Sequence, residues 1–223
     1  MRPLPRLLAF ADDRIAALDD LGVRAAAIAA AGPAAALVAR MPGGTTDRLA
    51  AMAQRFVANA APPMAVVLVT GRADVAMSTG AHGVILRKDD LDVRTVRAMC
   101  HPERSEGSIR NEAIPHFVRD DMMIFRSIHS LAEAEIAVRD GANALIAGSI
   151  WPSTTHPGRE PAGTGFLRQV VALGVPAFAI GGVTAARAGE ARDAGAWGVA
   201  AVGAVWDAKS PYQAAMQILE TWT

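Results

Sequence analysis

Short apolar runs recur along the chain, each followed by a segment with helical spacing. Residues 7–10, 36–40, 65–69, 83–86, 122–127 and 144–148 are the first six runs. The stretch 177–205 holds the last two. It reads Ala177-Phe178-Ala179-Ile180, then Gly181-Gly182, an Ala/Arg/Glu segment, and a second run through Val202-Gly203-Ala204. The runs are apolar at successive positions, which predicts strands buried on both faces in a parallel sheet. Between them, Ile15, Leu18 and Leu21 predict a helix over 14–31 that tolerates Gly22 and stops at Gly32-Pro33. Thr45 or Thr46 caps a helix to about residue 60, with Leu49, Met52, Ala53 and Phe56 on one face. A short helix ends near Gly80, and Asp92 heads another that carries Val93, Val96 and Met99. Ser130 and Glu133 form a capping box for a helix closed by Asp140-Gly141. Thr164 opens a helix to residue 173, and Pro211 begins the last one, ending near Trp222.

Eight strand–helix units in alternation predict a single-domain α/β protein over residues 1–223, a (β/α)8 TIM barrel. An open dinucleotide-binding sheet is disfavoured, because no Gly-x-Gly-x-x-Gly follows the first strand. The rhythm breaks at residues 100–121, which are polar and punctuated by Pro and Gly. They read as a flexible surface insertion between the fourth helix and the fifth strand, on the face opposite an active site. A metal site made of Cys100, His101 and His116 is the less favoured reading of that segment.

Composition narrows the function classes. The 223 residues are 52% hydrophobic with zero formal net charge, which argues against nucleic acid or an anionic membrane as partner. No apolar run is long enough to span a bilayer, and the first residues do not read as a signal peptide. A single cysteine excludes an intrachain disulfide. A cytoplasmic enzyme is expected.

In such a barrel the chemistry belongs at the C-terminal strand ends. Gly181, Gly182, Gly203 and Ala204 sit there after the last two strands, where exposed backbone N–H groups form a cup for phosphate; the bland alternative is tight turns. His129, after the fifth strand, is a candidate proton-transfer group, against a helix-flanking residue with no task. Ser153 and Thr155, in the loop from Ser149 to Gly163, offer hydroxyls to phosphate, unless they form an ordinary turn. Trp151 either walls the site or anchors that loop. Arg40 suits a carboxylate or phosphate, or is a surface cation. Asp12, Asp13, Asp89 and Asp90 read as helix caps before they read as a Mg²⁺ site.

Ser127-Ile128-His129-Ser130-Leu131-Ala132-Glu133-Ala134, Gly148 to Thr155, Gly158 to Gly163, Ile180-Gly181-Gly182-Val183 and the strand 194–204 together resemble the TenI / thiamine phosphate synthase superfamily. The likeness is firm over 122–222 and weaker over 1–99, and 100–121 stands outside it. It implies one of two activities. The synthases join a pyrimidine diphosphate to a thiazole phosphate with Mg²⁺. The TenI-type thiazole tautomerases aromatise a carboxythiazole phosphate without metal. Where the synthases carry Asn-Asp-Arg, with Asp as a metal ligand, this chain has Thr70-Gly71-Arg72. Their Gln-x-Arg-x-Lys is Val38-Ala39-Arg40-Met41-Pro42, and their Thr-x-Thr-Lys is Ser153-Thr154-Thr155-His156. Asp90 matches the second metal-ligand position. Gly71 and Ser127-Ile128-His129-Ser130 match the tautomerase pattern, in which the histidine moves the proton.

The sequence therefore points to an isomerase, a thiazole tautomerase of thiamine biosynthesis. His129 is its acid/base, and Ser153, Thr155, Gly181, Gly182, Gly203 and Ala204 hold the phosphate. Arg40 and Thr70 complete the substrate contacts. No cofactor is expected, and the partners are a small phosphorylated thiazole and, by resemblance, other copies of the chain. The alternatives are a transferase, thiamine phosphate synthase, with Mg²⁺ and Asp90, or a non-catalytic phosphate-ligand binding protein.

Overall fold

Strand β1 (Leu7–Ala11) pairs in parallel with β2 (Ala35–Ala39) on one side and with β8 (Gly198–Ala201) on the other. That second pairing closes the sheet. The intervening strands are β3 (Val66–Thr70), β4 (Gly83–Leu86), β5 (Met123–Ile128), β6 (Ala144–Gly148) and β7 (Ala177–Ile180), in sequence order around a closed barrel. The chain is thus a TIM barrel. The computed structural model describes residues 3–60, 65–100, 122–153, 158 and 160–223. Most of the 100–121 insertion, with His101 and His116, lies outside the described residues, as do Thr155 and His156.

Every strand sits in two apolar layers, which is why its sequence is apolar at successive positions. Alternate residues Leu8, Phe10, Val38, Leu68, Ile85, Phe125, Ile146 and Phe178 fill the barrel interior. Their neighbours Leu7, Ala9, Leu37, Val67, Val84, Ile124 and Ala179 pack under the helices. Inside the barrel the rings of Phe125 and Phe178 meet at 5.7 Å, tilted by 54°. At the opposite end from the site, the Arg6 guanidinium lies 3.7 Å from the Trp197 ring centroid and donates to its carbonyl, plugging the barrel floor.

The helices are α1 (Asp13–Ala16), α2 (Leu21–Ala29), α3 (Thr46–Asn59), α4 (Ala73–Thr79), α5 (Val93–Cys100), α6 (Leu131–Arg139), α7 (Gly163–Val171), α8 (Ala185–Asp193), α9 (Gly203–Trp206) and α10 (Pro211–Leu219). The expected caps are present: Thr45 accepts from Arg48 N, Asp92 from Thr95 N, and Ser130 from Glu133 N. Two expectations need correction. The continuous helix 14–31 is two helices, with the break at residues 17–20 and Gly22 inside the second. The last apolar run, read through Gly203-Ala204, is strand only to Ala201: Gly203 opens the short helix α9, whose Trp206 stacks on Phe56 with centroids 5.8 Å apart. Among the described residues no helix is long and apolar enough to cross a membrane.

Candidate active site at the C-terminal mouth of the barrel

The glycine cup is built from two turns. Gly181 and Gly182 follow β7 with φ of +97° and +64°, a region that L side chains avoid. Their carbonyls are tied down from below. Gly181 O accepts from Trp151 N at 3.3 Å, and Gly182 O accepts from Arg187 Nη1 at 2.5 Å. The amides of Gly181 and Gly182 make no hydrogen bond among the described residues. Gly203 and Ala204 open α9, and the first N–H groups of a helix have no acceptor inside it. Four unspent donors therefore flank the ends of β7 and β8. Asp207 lies next to Gly203, but Arg14 holds its carboxylate through two hydrogen bonds of 2.7 and 3.0 Å. The pairing offsets a negative charge that would oppose an anion there.

The loop after β6 packs onto the Gly181-Gly182 turn. Ile150 N donates to Ile180 O, and Trp151 is buried with its indole N–H on Glu190 at 3.0 Å. Of the two roles read for Trp151, the structure shows the loop anchor. Ser153 is half-buried in the same loop.

His129 leaves β5 at the same end of the barrel and is exposed. Its Nδ1 lies 2.5 Å from Gly148 O, at the end of β6. A carbonyl oxygen only accepts, so Nδ1 donates, and in the neutral ring Nε2 is left as the proton acceptor. The capping box fixes the stem beneath it: His129 N donates to Glu133 Oε2 at 2.8 Å.

Arg40 and Thr70 do not join this group. They line a separate pocket at the ends of β2–β4, together with Thr46, Arg72 and Arg87. Arg40 makes no side-chain hydrogen bond or ion pair among the described residues. Thr70 is 7% exposed and its hydroxyl has no partner. Arg72 bridges Asp74 and Thr46 Oγ1. The reading of the sequence passed over Arg87, whose signal was an opposite charge three residues on, at Asp90.

That ion pair decides whether Mg²⁺ fits. Asp90 receives three hydrogen bonds from Arg87: 2.7 Å from its backbone N–H, 3.0 Å from Nε and 2.9 Å from Nη2. Burial pushes the Asp90 carboxyl up, but these bonds outweigh it and hold the group below the usual carboxylate range. Both oxygens are engaged by a cation already in the chain. Gly71 brings no second carboxylate, and no group of three or more metal-binding side chains occurs among the described residues. The residues present do not fit Mg²⁺. Asp12 caps α1 through Ile15 N, and Asp13 accepts from Gly43 N.

The family profile described as thiamine monophosphate synthase matches residues 8–112 and 105–205. The chain belongs to the thiamine monophosphate synthase family. The two matched segments meet within the insertion. A thiamine-phosphate synthase of Salinispora arenicola is 35% identical over 226 residues, covering 100% of both chains. One from Mycolicibacterium gilvum is 36% identical over 156 residues, 69% of this chain and 58% of that protein. The chain thus spans less than two thirds of the length of several relatives that it matches. Among solved structures, the thiamine phosphate pyrophosphorylase of Pyrococcus furiosus superposes with a TM-score of 0.76 at 25% identity, covering 99% of this chain and 96% of that one. The two sequence relatives carry the synthase name, which favours the transferase alternative over the isomerase read first from the sequence.

Proposed function

We propose that this member of the family joins a pyrimidine carried as its diphosphate to a thiazole phosphate, giving thiamine phosphate and free diphosphate. One observation carries the reading: the barrel mouth holds two separate donor-rich regions. The glycine cup at β7–β8 suits a phosphate monoester. The Arg40, Arg72 and Arg87 pocket at β2–β4 suits a second, more highly charged anion. A reaction on one phosphorylated ring needs a single such region; joining two phosphorylated partners needs both. Negative charge builds on the diphosphate as it departs, and guanidinium donors held beside it lower the barrier. The names of the relatives support the same reading. Incubating purified protein with both substrates should yield thiamine phosphate by chromatography. No product under any condition would contradict the proposal.

A second reading, thiazole tautomerase, is favoured by a specific observation. The His129 ring is fixed through Nδ1, leaving Nε2 for proton transfer, and Gly71 stands where the synthases carry a carboxylate. It is tested by following the non-aromatic carboxythiazole tautomer by NMR.

A further inference from the structure

The pocket at β2–β4 has more hydrogen-bond donors than its own side chains use. Thr70 lines the pocket, and its Oγ1 is unpartnered in a side chain more than nine-tenths buried. The Arg40 guanidinium has no partner among the described residues, and the bonds of Arg87 leave its Nη1 free. Of the carboxylates near the pocket, Asp74 and Asp90 are engaged by arginines, Asp13 accepts from Gly43 N in the turn that borders the pocket, and Asp89 lies beside the Arg87–Asp90 pair. Arg87 also fills a particular place. A Cβ built on Gly71, whose φ is +80°, would lie 2.8 Å from Arg87 Nη2 and 3.1 and 3.2 Å from the two Asp90 oxygens. The guanidinium therefore lies against Asp90 in the space above residue 71, where a carboxylate on that residue would point.

We propose that Arg87, held by Asp90, is a built-in counter-cation, and that this pocket binds an oligophosphate anion directly through guanidinium groups, without a divalent cation. Arginine stays charged at any working pH. Its fork holds Asp90 with one edge and presents its remaining N–H groups to the ligand, as planar oxyanion recognition requires. Thr70 adds one hydroxyl and Arg40 a guanidinium that makes no ion pair among the described residues. The proposal rests on the joining reaction only for the identity of the anion, a diphosphate.

Calorimetric titration of the full chain with inorganic pyrophosphate, in EDTA and separately in Mg²⁺, tests it. Binding is expected in EDTA, with no gain on adding Mg²⁺. Arg87→Met should weaken binding in EDTA by about tenfold to a hundredfold, the loss expected for one charge-assisted contact. Arg40→Met, which breaks no side-chain bond among the described residues, should give a similar loss with an unchanged unfolding midpoint. Pyrophosphate binding that vanishes in EDTA and returns with Mg²⁺ would overturn the proposal. So would undiminished binding by both variants. The outcomes separate from those of the joining reaction. Binding in EDTA without thiamine phosphate formation leaves this inference standing and removes the function. Product formed only with Mg²⁺, alongside Mg²⁺-dependent binding, does the reverse.

Discussion

The Gly182→Ala variant should lose affinity for phosphate-bearing ligands by more than tenfold and lose about 1–3 kcal/mol of stability. The added Cβ would lie 2.2 Å from Pro152 O, 2.9 Å from Arg187 Nη1 and 3.1 Å from Trp151 Cβ. The first contact is with backbone, which cannot rotate away. That backbone belongs to the loop after β6, which is itself bonded to Ile180 O and Gly181 O. Relief requires the loop to lift or the turn to flip, and either movement re-aims the free amides of the cup. The φ of +64° adds strain of its own for any residue with a Cβ. Gly189→Ala is the control. It lies inside α8, and its Cβ would meet nothing within 4 Å. There the change should leave binding intact and raise stability by about 0.5–1 kcal/mol. Urea unfolding and calorimetric titration with a thiazole phosphate read both effects.

The second large effect belongs to His129→Asn. His129 is the one histidine among the described residues at the C-terminal strand ends, so on the tautomerase reading the variant should lose about 10²–10⁴ of that turnover. The joining reaction relies instead on anion contacts at both sides of the mouth, and the variant should keep its rate within about tenfold. Asparagine preserves a donor toward Gly148 O, so the β5–β6 mouth should stay in place. Product chromatography and tautomer NMR on one preparation separate the readings. A hundredfold fall in joining would place His129 in that reaction too and contradict the division of labour drawn here.

How much of this was legible in the sequence follows from what each element is made of. The eight strands were readable because burial on both faces keeps them apolar over most of their length, as in Ala35–Ala39; the polar exceptions, Thr70 in β3 and Arg126 and Ser127 in β5, fall toward the C-terminal ends. The break between α1 and α2 was not. Alanine satisfies either a helix or its interruption, and the helix after the break is tied to a distant partner: Arg24, bonded to Asp20, donates to the carbonyls of Trp206 and Ala208. Helix α9 was hidden for a related reason, since Gly203-Ala204-Val205-Trp206 continues the apolar pattern of β8 without a polar boundary. The cup was legible because adjacent glycines after a strand announce a backbone that side chains cannot follow, and Gly181 and Gly182 do hold positive φ. The partition of the candidate residues was not legible. Arg40 and Thr70 belong to strand ends across the mouth from Gly181, and only the order of strands around the barrel separates them. The Arg87–Asp90 pair was invisible for another reason. Opposite charges three residues apart are commonplace, and only the fold places this pair over Gly71.

The central claim is that the phosphate is held by main-chain amides at β7 and β8. The most direct test is a ¹H–¹⁵N NMR titration of the full chain with a thiazole phosphate. The account predicts that the amide signals of Gly181, Gly182, Gly203 and Ala204 move together and saturate at one ligand concentration. Saturable binding that leaves those four signals in place and moves others would contradict it.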